Sequence, residues 1–275
     1  FRDRWRMKRQ DKISGAAEIE RKAISHIKKY IGRKELFEKC YSMLSAYPSM
    51  ASIWNIANFA FLGDEKSMEK MAGANEKVVS NGTDAVKSNS VILTYSRSST
   101  VSKILQGCKN KGVSVICSES RPKYEGRKLA LELARKGIDV VLTTDAALGF
   151  MADEADMILI GADAILENRI VNKAGTAPLL TYANERNKKI YVAVSSYKAF
   201  PFVFVKKEDD REVWKDAPEG VEIKNFYFDV TDIENISYFI TENDISKEKP
   251  GFSYKISDEI MEIKNMLESK YRMVK

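Results

Sequence analysis

The chain has 275 residues, 44% of them hydrophobic, and a formal charge of +6, which allows one large domain or two ordinary ones with real cores. No run of about 18 apolar residues is present to span a membrane, and the charged start FRDRWRMKRQ lacks the apolar stretch of a secretory signal. Three cysteines without a CxxC pair and a single histidine, His26, leave no ordinary zinc site, so a reduced, cytoplasmic protein without metal or cofactor is expected.

Residues 13–30 place Ile13, Ala16, Ala17, Ile19, Ala23, Ile24, Ile27 and Tyr30 on one face, the pattern of an amphipathic helix. The pattern recurs over residues 35–44 and over residues 50–61, the latter with Trp54, Ile56, Phe59 and Phe61. A fourth helix is predicted over residues 65–80, where Asn81-Gly82 interrupts it. Residues 1–88 therefore read as a helical domain without strands. They hold the basic excess, 17 Lys/Arg against 11 Asp/Glu, while the remainder carries 28 of each. Such a bias suits nucleic acid or an acidic protein surface, and a solvated helix face is the plainer reading.

After Ser88 strands alternate with helices. Strands are predicted over residues 91–95, 113–120, 138–144, 156–163 and 189–196, with helices over 98–111, 123–136, 146–155 and 177–187 and a turn at ENRIVNKAG. Short apolar runs separated by helical spacers predict an α/β fold: a Rossmann-like parallel sheet with helices on both faces, over residues 89–247. Residues 248–275 form a C-terminal helical extension, with Ile256, Ile260, Ile263, Met266, Leu267 and Met273 among many charges. It is expected to pack on the surface or on a partner.

Parallel sheets bind ligands at the carboxyl ends of their strands. In VILTYSRSST a strand runs into Ser96, Arg97, Ser98 and Ser99 before a helix begins, gathering hydroxyls and backbone N–H groups where an anion can sit. Asp163 ends the GAD segment; it is either a general acid or base, if burial raises its pKa, or a loop-fixing carboxylate. Lys173, Gly175 and Thr176 in NKAGT offer an ammonium, free N–H groups and a hydroxyl that suit a phosphate. Arg121 and Arg127 in RPKYEGR and Lys198 in SSYK add cations, and together these segments point to a phosphorylated small ligand. Cys108 and Cys117 read as core thiols. His26 lies in the helical part, away from Ser96 and Ser98, which argues against a serine–histidine triad, and no GxGxxG or Walker loop is present.

Five segments occur in one order: VILTYSRSSTVSKIL, ESRPKYEGRKLA, DAALGFMADEADMILIGADAILENRIVNKAGT, SSYKAF and NFYFDVTDIENISYFITEND. Together they resemble the family of translation initiation factor 2B alpha, beta and delta regulatory subunits, whose superfamily includes ribose-1,5-bisphosphate isomerase and methylthioribose-1-phosphate isomerase. The resemblance covers residues 12–247. It implies a helical N-terminal domain, a Rossmann-like domain that forms a homodimer or higher oligomer, and a ligand pocket between the two.

In the isomerases of this superfamily, a cysteine after the first strand and the aspartate of GAD transfer protons. Here the cysteine position falls on Ser96, the residue before it is Tyr95 rather than histidine, and Asp163 occupies the aspartate position. An RGA segment that meets substrate phosphate becomes Ser14-Gly15-Ala16, whereas Asn172, Lys173 and Lys198 are retained. A serine hydroxyl has a pKa far above that of a thiol. The resemblance thus implies a binding module for initiation factor 2 that lacks the catalytic cysteine, with a nucleotide or sugar phosphate held by Ser98, Ser99, Arg121, Asn172, Lys173, Gly175, Thr176 and Lys198. The alternative is an aldose–ketose isomerase acting through Asp163. A third reading, a nucleic-acid binder, rests on the N-terminal charge and predicts binding that falls steeply with salt.

Overall fold

A computed structural model describes residues 15–275; Ile13 and Ser14, in the predicted first helix and the SGA segment, lie outside the described residues. Helices α1 (Ala16–Ile27), α2 (Leu36–Ala46), α3 (Ala51–Leu62) and α4 (Glu65–Ala85) come first. α3 is buried from Ala51 to Ala60, with Trp54, Ile56 and Phe59 fully enclosed, as befits a helix with almost no polar face. It stops at Gly63, whose φ of 68° ends a helix without steric cost. Asp64 then caps α4 by accepting a hydrogen bond from the Ser67 N–H at 3.0 Å.

The α/β part runs β1 (Val91–Thr94), α5 (Ser99–Gly107), β2 (Ser114–Ser118), α6 (Glu125–Ala134), β3 (Asp139–Thr143), β4 (Met157–Ile160), β5 (Ala164–Ile165), β6 (Arg169–Lys173), α7 (Thr176–Glu185) and β7 (Ile190–Ala193). β8 (Val203–Val205), β9 (Phe228–Asp232), β10 (Tyr238–Ile240), β11 (Ile245–Ser246), α8 (Asp258–Glu268) and β12 (Arg272–Val274) follow. The main sheet has the order β11-β10-β7-β4-β1-β2-β3 and is parallel except at β11. α4, α5 and α6 cover one face through Val78, Ile104, Leu105, Leu129 and Leu133. α7 covers the other through Leu179, Leu180 and Ala183. Strand order reverses between β1 and β4, and a sheet of this kind opens a crevice there, beyond the strands' carboxyl ends. None of the described helices is long and apolar enough to cross a membrane.

Several local expectations are corrected. α4 does not break at Asn81-Gly82: a Cβ on Gly82 would lie 2.4 Å from Ile104 Cδ1, so this glycine permits close packing of α4 on α5. The predicted helix over residues 98–111 ends at Gly107, and a separate 3-10 turn spans Lys109–Lys111. The predicted helix over 146–155 is a 3-10 turn, Phe150–Glu154. Residues 161–163 are not strand, because the chain leaves the main sheet after Ile160 to form the antiparallel sheet β5-β6-β9. The ENRIVNKAG turn contains β6, whose partner β9 is too distant in sequence to leave a local signal.

The C-terminal extension is not a surface appendage. Ile260, Ile263, Leu267 and Val274 join Ile27, Met43, Trp54 and Phe204 in one core, and β12 pairs antiparallel with β8. The apolar face of α8 fills the space beside α2 and α3. Trp54 stands among Phe200, Phe202 and Phe204 at ring-centroid distances of 5.8, 5.1 and 5.8 Å, with its indole N–H donating to Pro48 O at 3.0 Å.

Candidate functional site

The loop after β1 sits at the strand-order reversal. Tyr95 is buried and its hydroxyl donates to Ala174 O at 2.5 Å; Ser96 turns the chain with φ 62°; Ser98 caps α5 by accepting from the Val101 N–H at 3.4 Å. Two other segments press on this helix start. A Cβ on Gly161 would lie 2.6 Å from Ser98 Oγ, and a Cβ on Gly15 would lie 2.7 Å from Ser99 Cβ and 3.6 Å from Arg97 Nη1. Glycines at both positions let α1 and the loop after β4 close around Ser98 and Ser99.

Asp163 lies in that loop after β4, partly exposed. Its N–H donates to Val171 O at 2.8 Å and its carbonyl accepts from the Ala51 N–H at 3.0 Å, which ties it both to the small sheet and to the start of α3. Burial raises its carboxyl above the ordinary value, against the pull of Lys198 and Lys173. Lys198 is 8% exposed, with its ammonium donating to Ala162 O at 2.8 Å. The turn that carries it is held by Asn55, whose amide donates to Tyr197 O at 2.7 Å and Ala199 O at 3.0 Å. The structure thus brings Ser98, Ser99, Asp163 and Lys198 to one end of the sheet.

The other predicted anion ligands have internal partners in this structure. Asp229, on β9, accepts from the Gly175 N–H at 2.7 Å and the Ala177 N–H at 3.1 Å, so α7 already has its anion. The Thr176 hydroxyl donates to Lys173 O at 2.6 Å and accepts from Asn172 Nδ2 at 3.0 Å. Lys173 pairs with Glu125 at 3.1 Å above the Tyr227 ring.

Arg121 likewise has partners of its own. Its N–H donates to Asp145 Oδ2 at 2.6 Å, and its guanidinium bonds the Tyr124 hydroxyl and Val213 O. Arg127 pairs with Glu119 at 2.5 Å and lies over the Tyr124 ring. Val213 belongs to the loop over residues 206–227, for which sequence reasoning assigned no role. No motif marked Asp229, Glu125 or Asp145 as the acceptors, because each meets its donors only through tertiary contact.

The model of the Initiation factor 2 subunit family matches residues 12–247. The chain belongs to this family. A Pyrococcus furiosus protein named as translation initiation factor eIF-2B subunit 2-like is 34% identical over 214 residues, covering 73% of this chain and 76% of the relative. Ribose 1,5-bisphosphate isomerase of Methanocaldococcus jannaschii is 29% identical over 264 residues, covering 84% of this chain and 86% of that one. The crystal structure of Pyrococcus horikoshii OT3 translation initiation factor eIF-2B superposes with a TM-score of 0.74 at 32% identity, over 85% of this chain and 91% of that chain.

This member of the Initiation factor 2 subunit family keeps its thiols in the core. Cys40, Cys108 and Cys117 are buried; burial pushes Cys40 and Cys117 up to about 12 and raises Cys108 as well. His26 packs against the Tyr30 ring at 5.1 Å, and burial with Lys39 and Lys29 nearby lowers its pKa. Among the described residues no group of three or more His, Cys, Asp or Glu is placed to hold a metal ion. One charged residue near the site escaped sequence reasoning. Glu20 lies on the apolar face of α1, one turn from Ala16, Ala23 and Ile24, and is 8% exposed; an acid on the apolar face of a helix was the available signal.

Proposed function

We propose that this protein is a regulatory-type binding module of the initiation factor 2B kind, working as a dimer and holding a phosphorylated small ligand, a nucleotide or a sugar phosphate, beside Ser98, Ser99 and Lys198. The observation that carries this reading is the chemistry of the loop after β1. Ser96 takes the left-handed turn there, and all three cysteines are core thiols. Near neutral pH a serine hydroxyl does not move a carbon-bound proton as a thiolate does. The 34% identical eIF-2B subunit 2-like relative supports the same reading.

In this reading the basic N-terminal part contacts initiation factor 2. Residues 1–14 alone hold six Lys/Arg against two Asp/Glu. The test is co-purification with initiation factor 2 or its alpha subunit at low and moderate salt. Capture that persists at moderate salt supports the reading, and no capture at either salt overturns it. Self-association is supported by the edge strand β3, where Val141 and Leu142 point to opposite faces of the sheet and stay 49% and 46% exposed. Strands of a parallel sheet that are apolar on both faces are ordinarily covered. Sedimentation analysis of wild type and Leu142→Asp tests this, with a shift from dimer to monomer expected.

A second reading rests on the place of Asp163 in the loop after β4, where the buried Lys198 donates to the adjacent Ala162 O. The raised carboxyl of Asp163 suits proton transfer in a sugar-phosphate aldose–ketose isomerase. Conversion of ribose-1,5-bisphosphate to ribulose-1,5-bisphosphate, abolished by Asp163→Asn, would put the isomerase first; absence of turnover at high enzyme concentration removes it.

A further inference from the structure

Lys173 is 6% exposed, and two segments enclose its ammonium. Glu125, the first residue of α6, accepts from it through both carboxylate oxygens at 3.1 and 3.2 Å. Tyr227, at the end of the loop over residues 206–227, lays its ring 5.1 Å from the same ammonium. Glu212, within that loop, ties the two sides together. Its carboxylate accepts from the Tyr227 hydroxyl and from Asn225 Nδ2 at 3.3 Å, and it pairs with Lys123, two residues before Glu125, at 2.5 Å. Lys123, Glu212, Lys173 and Glu125 therefore form two ion pairs joined through Tyr227, and the cluster is neutral as a whole.

Both sides of this enclosure are built to move. Tyr124, just before Glu125, takes the left-handed backbone region with φ 58°, and Ser120 does so with φ 61°. Such a conformation costs free energy in a residue with a side chain and persists where the surroundings enforce it. The loop over residues 206–227 leaves Val213, Trp214, Val221 and Phe226 between 42% and 52% exposed. These four apolar side chains do not anchor it, and segments of that kind open locally at low cost. Glu125 also has a resting place away from Lys173, because a carboxylate in the first turn of a helix is favoured by the unpaired N–H groups there.

We propose that Glu125 is a built-in occupant of the Lys173 ammonium and that Glu212 is the latch that keeps it there, an autoinhibitory contact within the chain. Lys173 lies on β6 two residues past Val171, whose carbonyl accepts from the Asp163 N–H at 2.8 Å, so its cation belongs beside the candidate site. With the latch closed, Glu125 neutralises that cation. With Tyr227 and Lys123 released from Glu212, the ring and the carboxylate move apart and the ammonium is uncovered. An outside anion binds Lys173 only in the open state, and its affinity is reduced by the fraction of molecules that are open. The part that concerns outside anions rests on the phosphorylated-ligand reading above; the latch itself does not.

The test is acetylation of lysine amines by N-hydroxysuccinimidyl acetate on the full chain, read residue by residue by mass spectrometry in wild type, Glu212→Gln, Lys123→Gln and Asp210→Asn. An amine reacts only while exposed and unpaired, so the rate at Lys173 follows the open fraction. In Glu212→Gln it is expected to rise at least about tenfold, the scale of a hydrogen bond to a charged group. Lys123→Gln changes the exposed arm of the latch, so it keeps the test alive if Glu212→Gln fails to fold, and a rise of about two- to fivefold is expected. Lys198, 8% exposed, is expected to keep its wild-type rate in both. Asp210→Asn alters a carboxylate of the same loop that pairs with Lys207, and it is expected to leave Lys173 unchanged. An unchanged Lys173 rate in the folded latch variants, an equal rise at Lys198, or the same rise in Asp210→Asn overturns the latch. Titration with inorganic phosphate then compares wild type with Glu125→Gln, which is expected to bind at least about tenfold more tightly. Equal affinity overturns Glu125 as the occupant. Binding by neither, with the labelling as expected, overturns the phosphorylated-ligand reading and leaves the latch standing.

Discussion

Gly161 and Ser98 meet across the strand-order reversal so closely that a Cβ on Gly161 would lie 2.6 Å from the Ser98 hydroxyl oxygen and 2.8 Å from its Cβ. The hydroxyl in question caps α5, so crowding it disturbs both the loop and the helix start. Gly161→Ala is expected to cost about 1–3 kcal/mol, the usual scale of overpacking. In a Ser98→Gly background the same change should cost much less. Urea denaturation of the four proteins in this cycle measures the coupling, and equal costs in both backgrounds would show that the two residues do not oppose each other.

Asp229 supplies the anion at the start of α7 from a strand far along the chain. Asp229→Ala is expected to lose about 1–2 kcal/mol, the usual value of an N-terminal cap. The emptied helix start should then take up sulfate or phosphate, so part of the lost stability returns on adding either salt. Wild type should show a smaller salt-specific gain. Thermal melts in sulfate and in chloride at matched ionic strength distinguish the two.

The C-terminal helix packs in the same core as Trp54 and Phe204, with Ile263 fully buried. Ile263→Ala is expected to cost about 2–5 kcal/mol. Removal of residues 258–275 should prevent stable folding. If a chain lacking them melts like wild type, α8 contributes nothing to the core.

Glu20 and Asp163 both titrate above their ordinary values of 4.5 and 3.8, because burial disfavours the ionised carboxyl more than nearby cations help it. In the interval between those ordinary values and the raised ones, the folded chain binds more protons than the unfolded chain. Stability therefore falls as pH rises through that interval. Glu20→Gln removes one of the two groups, so its stability relative to wild type should improve as pH rises from about 4.5. Urea midpoints of both proteins across pH 4–8 measure the slope, and parallel curves would exclude Glu20 as its source.

Much of the fold was legible from local pattern. The apolar spacing in α1 and α3 follows the helix repeat, and the alternation of short apolar runs with helical spacers from β1 to β7 specifies a parallel sheet. That sheet places Ser98, Asp163 and Lys198 at strand ends without further information. Family membership was legible too, because five ordered segments carried it.

What the chain alone determined, then, is which residues face inward along each helix and strand, since that depends on neighbours a turn or a pleat away. Only the tertiary structure decided what those residues meet. Gly82 reads as a helix break until Ile104 is seen against it. Gly175 and Thr176 read as free anion donors until Asp229 arrives from β9. The last helix reads as a surface extension until its isoleucines enter the core beside α3. Close approach and charge pairing between separate segments leave no periodic trace in a sequence, because they are set by packing that brings together residues well beyond a turn or a pleat apart in the chain.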